Sequence, residues 1–199
     1  MSHYFENDKS IKSKNIEIEY SIKNDSFIFY SDNGVFSKDE YDQGSEILVK
    51  SLLGESLNGR ILDLGCGIGC MGIVLARFIP SIFVEMVDIN ERAVQLCQKN
   101  IMANKIENAK VYISNIYEQV DGLFENIVTN PPIRAGKKVI YEFFEKAKDY
   151  LTLNGNLYVV IRKSHGAESA KRKLEEVFGN CTMIDRAKGF HILKSTKNV

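Results

Sequence analysis

Two short stretches hold residues whose types and spacing could do chemistry. One is Asn130-Pro131-Pro132-Ile133. Consecutive prolines fix the backbone φ and carry no N–H, so carbonyl groups dominate this stretch. The side-chain oxygen of Asn130 and the carbonyl of Pro131 then form a rigid pair of acceptors. An exocyclic amine has two N–H donors. Holding both would aim the nitrogen lone pair at an electrophile and favour the charge that develops as nitrogen is alkylated. A structural double-proline turn is the plainer reading of the same residues. The other stretch runs from Ile61 to Gly72, with Asp63 leading Gly65, Gly67 and Gly69 at alternate positions. Glycine there allows a sharp turn and lets a ligand approach the main chain without meeting a Cβ. The spacing is tighter than the Gly-x-Gly-x-x-Gly of dinucleotide-binding turns, which disfavours a nucleotide-dependent oxidoreductase. A tight strand-to-helix connection without a ligand is the alternative.

These residues need elements to position them. Ile61, Leu62 and Leu64 read as a buried strand entering the glycine turn, and the apolar spacing from Met71 onward reads as the helix leaving it. Strands are expected over 60–64, 82–88, 109–114, 126–129 and 156–161. Helices are expected over 71–79, 91–104 and 139–151, so strands and helices alternate. Such alternation predicts a parallel sheet covered on both faces. An apolar helix over 46–53 precedes it, and an amphipathic helix over 166–178 follows. The segments 181–185 and 190–193, around Lys188-Gly189, read as an antiparallel pair. Upstream, Ile16, Ile18, Tyr20 and Ile22 alternate with polar residues, Asn24-Asp25 signals a turn, and 27–30 returns. An N-terminal β-hairpin is therefore expected before the main fold, with residues 1–33 forming an extension and 34–199 the principal domain.

The chain has 199 residues, enough for one core. Lys plus Arg equal Asp plus Glu at 26 each, yet the charge is divided. From Asn130 onward there are 14 Lys and Arg against 7 Asp and Glu, leaving 12 against 19 before it. A basic C-terminal part could face an anionic partner or simply be a solvated surface. The four cysteines, Cys66, Cys70, Cys97 and Cys181, do not combine with histidine at zinc-ligand spacing. They read as reduced thiols of a cytoplasmic protein, and no metal is expected. Residues 1–14 are polar, unlike a secretory signal, and no apolar run approaches a membrane span.

In open α/β sheets, ligands bind beyond the carboxyl ends of the strands. The second main-sheet strand ends in Asp88-Ile89-Asn90, with Asp88 placed to accept hydrogen bonds from a ribose diol. Asp88 or Asn90 could equally cap the following helix. Asn115 stands at the end of the third.

Taken together, Asp63-x-Gly65-x-Gly67-x-Gly69, Asp88-Ile89-Asn90 and Asn130-Pro131-Pro132 resemble the motifs of S-adenosylmethionine (SAM)-dependent amino-group methyltransferases. Gly34-Val35-Phe36-Ser37, Asp42-x-Gly44 and Gly136-Lys137 narrow the resemblance to the "methyltransferase small" domain of the RsmC type, the small-subunit (16S-type) rRNA guanine-N2 methyltransferases. The resemblance runs from about Gly34 to the C-terminus. It implies a Rossmann-like class I SAM methyltransferase fold, mostly parallel, with an antiparallel C-terminal hairpin. It implies SAM as cofactor, contacted by Phe36, Ser37, Asp63, Gly65, Cys66, Gly67, Gly69, Asp88, Ile89, Asn115 and Asn130, and Asn130, Pro131 and Pro132 as the catalytic loop. Asn115 replaces the Asp that usually meets the adenine amine, though its amide oxygen can still accept. Ile133 replaces the aromatic that many relatives stack on the target base.

The partner implied is rRNA or the small ribosomal subunit. Arg134, Lys137 and Lys138, and Arg162 and Lys163 after the fifth strand, are candidates for its phosphates. Lys171, Arg172 and Lys173 on one helix read as a solvated face. Full-length RsmC proteins carry a second methyltransferase-like domain, so a homodimer of this chain is a candidate substitute. Adenine N6 methylation, glutamine-amide methylation and non-catalytic SAM binding are the alternatives.

Overall fold

The computed structural model describes residues 16–35 and 41–199. Phe36 and Ser37, like the polar segment before Ile16, lie outside the described residues. Period-two alternation builds an antiparallel hairpin from β1 (Ile16–Ile22) and β2 (Asp25–Ser31). Ile18, Tyr20, Ile22, Phe27 and Phe29 point inward, with polar residues facing out between them on β1.

The main sheet has seven strands: β3 (Arg60–Leu64), β4 (Phe83–Asp88), β5 (Ala109–Ile113), β6 (Phe124–Thr129), β7 (Leu151–Arg162), β8 (Thr182–Ala187) and β9 (Phe190–Thr196). Their spatial order is β5-β4-β3-β6-β7-β9-β8. β3 to β7 pair in parallel, and β9 runs antiparallel to both β7 and β8. The helices are α1 (Gln43–Leu52), α2 (Cys70–Phe78), α3 (Glu91–Ala103), α4 (Lys137–Tyr150) and α5 (Ala167–Phe178).

Neighbouring strand residues point to opposite faces, so β3 divides its apolar side chains between two cores. Ile61 joins a cluster with the hairpin, α1, α2 and α3, whereas Leu62 and Leu64 join one with α4 and α5. The doubly wound α/β reading holds, as do the antiparallel C-terminal pair and the N-terminal hairpin. The chain leaves β3 first toward β4 and β5, then returns to lay β6 and β7 on its other side. That reversal opens a crevice beyond the carboxyl ends of β3 and β6, where the glycine turn and Asn130 stand.

Two details were not legible in the sequence. β7 begins at Leu151, immediately after α4, whereas the sequence marks a strand only over 156–161. Its first residue pairs with Phe124, and the register shifts before Asn156 pairs with Asn126. Asn154 takes φ +65° within that irregularity, which Asn tolerates better than most residues. The second is the edge of β2, completed by a helix. Asn104 exchanges hydrogen bonds with the N–H and carbonyl of Ile28 at 3.1 and 2.8 Å, and Asn100 does the same with Tyr30 at 2.7 and 3.1 Å. Two amides one helical turn apart thus stand in for a strand.

Candidate active site

The glycine turn follows β3 because three successive alternate positions adopt left-handed backbone: Gly65, Gly67 and Gly69 have φ of 74°, 56° and 88°. Side chains are strained there. Both Gly65 and Cys66 donate their N–H to the Val87 carbonyl at 2.9 Å, folding the turn against the end of β4. Asp88 completes that junction. Its Oδ2 accepts from the Gly67 N–H at 2.8 Å and its Oδ1 from the Asn90 N–H at 2.9 Å. Capping of α3 falls to Asn90, whose Oδ1 accepts from Arg92 and Ala93 N–H at 3.0 and 3.2 Å. The Asn90 amide also donates to the Gly34 carbonyl at 3.3 Å. On the far side of the undescribed residues, the Tyr41 hydroxyl donates to the Cys70 carbonyl at 2.7 Å. The described flanks of Phe36 and Ser37 are therefore tied to the β4 loop and to the glycine turn.

Asp63 is fully buried in β3. Its Oδ2 accepts from the Gly72 N–H at 2.9 Å, in the first turn of α2, where the helix dipole favours an anion. Burial nevertheless pushes its carboxyl up to about 7, with Asp88 adding repulsion and the Gly72 bond opposing. Its Oδ1 is buried without a donor. An orphaned carboxylate oxygen beside a glycine turn fits the ammonium group of SAM, which would supply the missing donors. At the end of β5, the exposed Asn115 donates its amide to Glu118 at 2.7 Å, leaving its oxygen turned away as an acceptor. Ile116, the next residue, holds φ +54°, a costly conformation for a β-branched side chain. Ile89 is half-buried at the end of β4.

On the other side of the crevice, the Thr129 hydroxyl donates to the Leu64 carbonyl at 2.8 Å and locks the ends of β6 and β3 together. Asn130 follows, half-buried. Its amide donates to Asp42 Oδ2 at 2.7 Å and approaches Ser45 Oγ at 3.2 Å. Both donors of the amide are thereby engaged, and Oδ1 is turned the other way. Pro131 is buried, and no backbone hydrogen bond among the described residues reaches its carbonyl. The Pro132 carbonyl instead accepts from Ala135 at 2.9 Å, closing a short 3-10 turn over Ile133–Ala135. Ile133 is half-buried against the α4–α5 core.

Arg134, Lys137 and Lys138 are exposed where that turn leads into α4. At the end of β7, the Arg162 guanidinium lies over the Phe190 ring, 4.4 Å from its centre, and the Lys163 N–H meets the Gly189 carbonyl at 2.8 Å. The β8–β9 turn is thus brought to the same edge as the proline loop. None of these five cations is in an ion pair among the described residues, whereas Lys171 and Lys173 pair with Glu175, Glu145 and Glu176. The sequence alone assigns no site role to Asp42 or Ser45. The signal was Asp42-x-Gly44, a motif with no visible role until the helix start it forms meets a loop 88 residues away.

Residues 26–194 match the family model of the methyltransferase small domain. An uncharacterized protein of Bacillus subtilis, YbxB, is 43% identical over 197 residues, spanning 98% of each chain. The ribosomal RNA small subunit methyltransferase C of Aliivibrio salmonicida is 35% identical over 168 residues, covering 82% of this chain and 48% of that one. The structure of the T. thermophilus 16S rRNA methyltransferase RsmC, solved with AdoMet and guanosine, matches with a TM-score of 0.81 at 27% identity, over 94% of this chain and 51% of the other. The chain thus spans about half the length of the rRNA methyltransferases it matches. The fold is the Rossmann-like methyltransferase fold, and the cofactor is SAM. Family model, relatives and crevice agree, and the chain belongs to the methyltransferase small domain family of SAM-dependent methyltransferases.

Proposed function

We propose that this protein methylates an exocyclic amine of RNA, guanine N2 of small-subunit rRNA. The observation that carries the reading is the Asn130 amide, held by its nitrogen so that Oδ1 and the Pro131 carbonyl are left as acceptors. Bound SAM supplies an electrophilic methyl: the amine forms the N–C bond as the C–S bond breaks, and an amine proton passes to solvent. The chain contributes the rest. Asn130 and Pro131 hold the two amine hydrogens, orient the lone pair and favour the positive charge that grows on nitrogen, while Pro132 stiffens the loop. Neither acceptor is a base, so the loop orients the amine without taking its proton.

The proposed cofactor roles combine the family resemblance with the contacts of the described residues. Asp63 Oδ1 accepts from the SAM ammonium, Gly65, Cys66, Gly67 and Gly69 offer main chain, and Asp88 meets the ribose hydroxyls. Asn115 Oδ1 accepts from the adenine amine and Ile89 packs on the ring, while Phe36 and Ser37 are assigned to SAM by the family resemblance alone. Two relatives named as small-subunit rRNA methyltransferases, one an N2 methyltransferase, support RNA as substrate. The cations Arg134, Lys137, Lys138, Arg162 and Lys163, none of them in an ion pair among the described residues, then meet phosphates around a flipped-out or single-stranded guanine. A second copy of the chain would enlarge that surface, and the cytoplasm is where such a substrate is found.

Labelled methyl transfer from SAM to small subunits and naked rRNA from a strain lacking the protein tests this. Label recovered as N2-methylguanosine is expected. Label in N6-methyladenosine, or in protein alone, overturns the substrate, and SAM binding without transfer to any macromolecule overturns catalysis.

A further inference from the structure

We propose that Asp42 is a positioning residue for methyl transfer, setting which end of the Asn130 amide faces the target amine; the inference rests on the amine-clamp reading above. An asparagine amide is nearly symmetric in shape but opposite in chemistry at its two ends. With Oδ1 toward the amine, acceptor meets donor. Rotated by half a turn, it would oppose its own N–H groups to those of the substrate, and the clamp would repel what it must hold. Nothing in Asn-Pro-Pro itself selects between the two orientations.

The start of α1 makes that selection. Asp42 is the N-cap, and its Oδ2 accepts both from the Ser45 N–H and from the Asn130 amide, each at 2.7 Å. An ionised carboxylate only accepts, so the amide nitrogen is the end that faces it, through a charge-assisted bond. Ser45 Oγ adds a second oxygen at 3.2 Å. Capping fixes the carboxylate to the helix, and the buried Ile47, Leu48, Val49 and Leu52 fix the helix to the core. Gly44 provides the room. A Cβ there would stand 3.2 Å from the Asn130 amide nitrogen, 3.2 Å from Asp42 Oδ2 and 3.0 Å from the Phe190 ring. Any side chain would press on the clamp and its holder together. The Asp42-x-Gly44-Ser45 turn is therefore a socket for Asn130, and a cap alone does not explain it. Capping needs one acceptor for one N–H, which serine supplies as well as aspartate.

That difference gives the test. Asp42→Ser keeps a good cap but is too short to reach Asn130. Methyl transfer on whichever RNA accepts label is expected to fall about tenfold or more in kcat, on the scale of losing a charge-assisted hydrogen bond. The Kd for SAM and the melting temperature should stay close to wild type. In an Asn130→Ala background, Asp42→Ser should cause no further loss, because both act through one group. An additive loss, a parallel collapse of SAM affinity, or unchanged kcat overturns the proposal. The orientation is also read without turnover. The Asn130 side-chain amide protons should shift in NMR spectra of Asp42→Ser while the Ser45 N–H keeps its capped shift, and an unmoved Asn130 amide overturns the socket. If wild type transfers no methyl group, the clamp reading fails on that result and the amide spectra alone judge the socket.

Discussion

The two sides of the β3–β6 crevice are built from different materials. On the β3–β4 side the site is backbone and sealed carboxylate: a left-handed glycine turn, an entirely buried Asp63, and an Asp88 whose two oxygens bind that turn to the next loop. On the β6–β7 side it is one half-buried amide, aimed by a distant helix start and fringed by exposed cations. A small cofactor of fixed shape suits the first arrangement, which costs little to organise when the cofactor arrives. A large anionic substrate suits the second, where only the reacting group needs exact placement and the rest needs charge. The charge division of the sequence follows the same line, since Asn130 opens the basic part.

If the two sides are separate devices, they should fail separately. Asn130→Ala gives the largest expected effect: transfer falls about 10²–10³-fold, the scale of removing one preorganised polar group, while SAM affinity by calorimetry stays near wild type. A matching loss of SAM affinity would merge the two sides. Asp88→Ala should do the reverse, weakening SAM binding by roughly 10–100-fold through lost hydrogen bonds to a charged group. Transfer at saturating SAM should be far less affected, and unchanged affinity would leave Asp88 as a brace for the turn.

The third prediction follows from Asp63. Its carboxyl sits near 7, so below that pH it is protonated and would offer the ammonium of SAM no charge. SAM affinity should decline as pH falls below about 7, by up to about tenfold per unit, and level off above it. A flat affinity profile across pH 6–8 would remove Asp63 from the cofactor. Folding runs the other way: the unfolded carboxyl ionises near 3.8, so the ligand-free fold should lose stability as pH rises from about 4 to 7. Asp63→Asn should remove that slope. The smallest effect belongs to the cations. Replacing Lys137 and Lys138 with Ala should weaken RNA binding a few-fold and lower the salt slope by about 1.4 for two single-strand phosphate contacts. Salt-independent binding would detach this edge from RNA.

How much was legible divides along the same crevice. The glycine turn and Asp88 act within a few residues of strands whose apolar runs are plain, so local spacing located them. Asn130-Pro131-Pro132 was visible as a motif, but the orientation of the Asn130 amide was not, because Asp42 is 88 residues away and precedes the helix expected over 46–53. Asn100 and Asn104 look like ordinary polar helix residues until the edge of β2 is laid beside them. The first half of β7 was hidden because Asn154-Gly155 breaks its apolar pattern, and there the backbone pairs with Lys197, remote in sequence. Motifs whose contacts are local were readable, and contacts made between distant segments were not.

The measurement that tests the central claim most directly is nucleoside analysis of small-subunit rRNA from cells with and without this protein. The account predicts that N2-methylguanosine at one position disappears without it, returns with the wild-type chain, and stays absent with Asn130→Ala. An unchanged modification profile, or full restoration by Asn130→Ala, would contradict it.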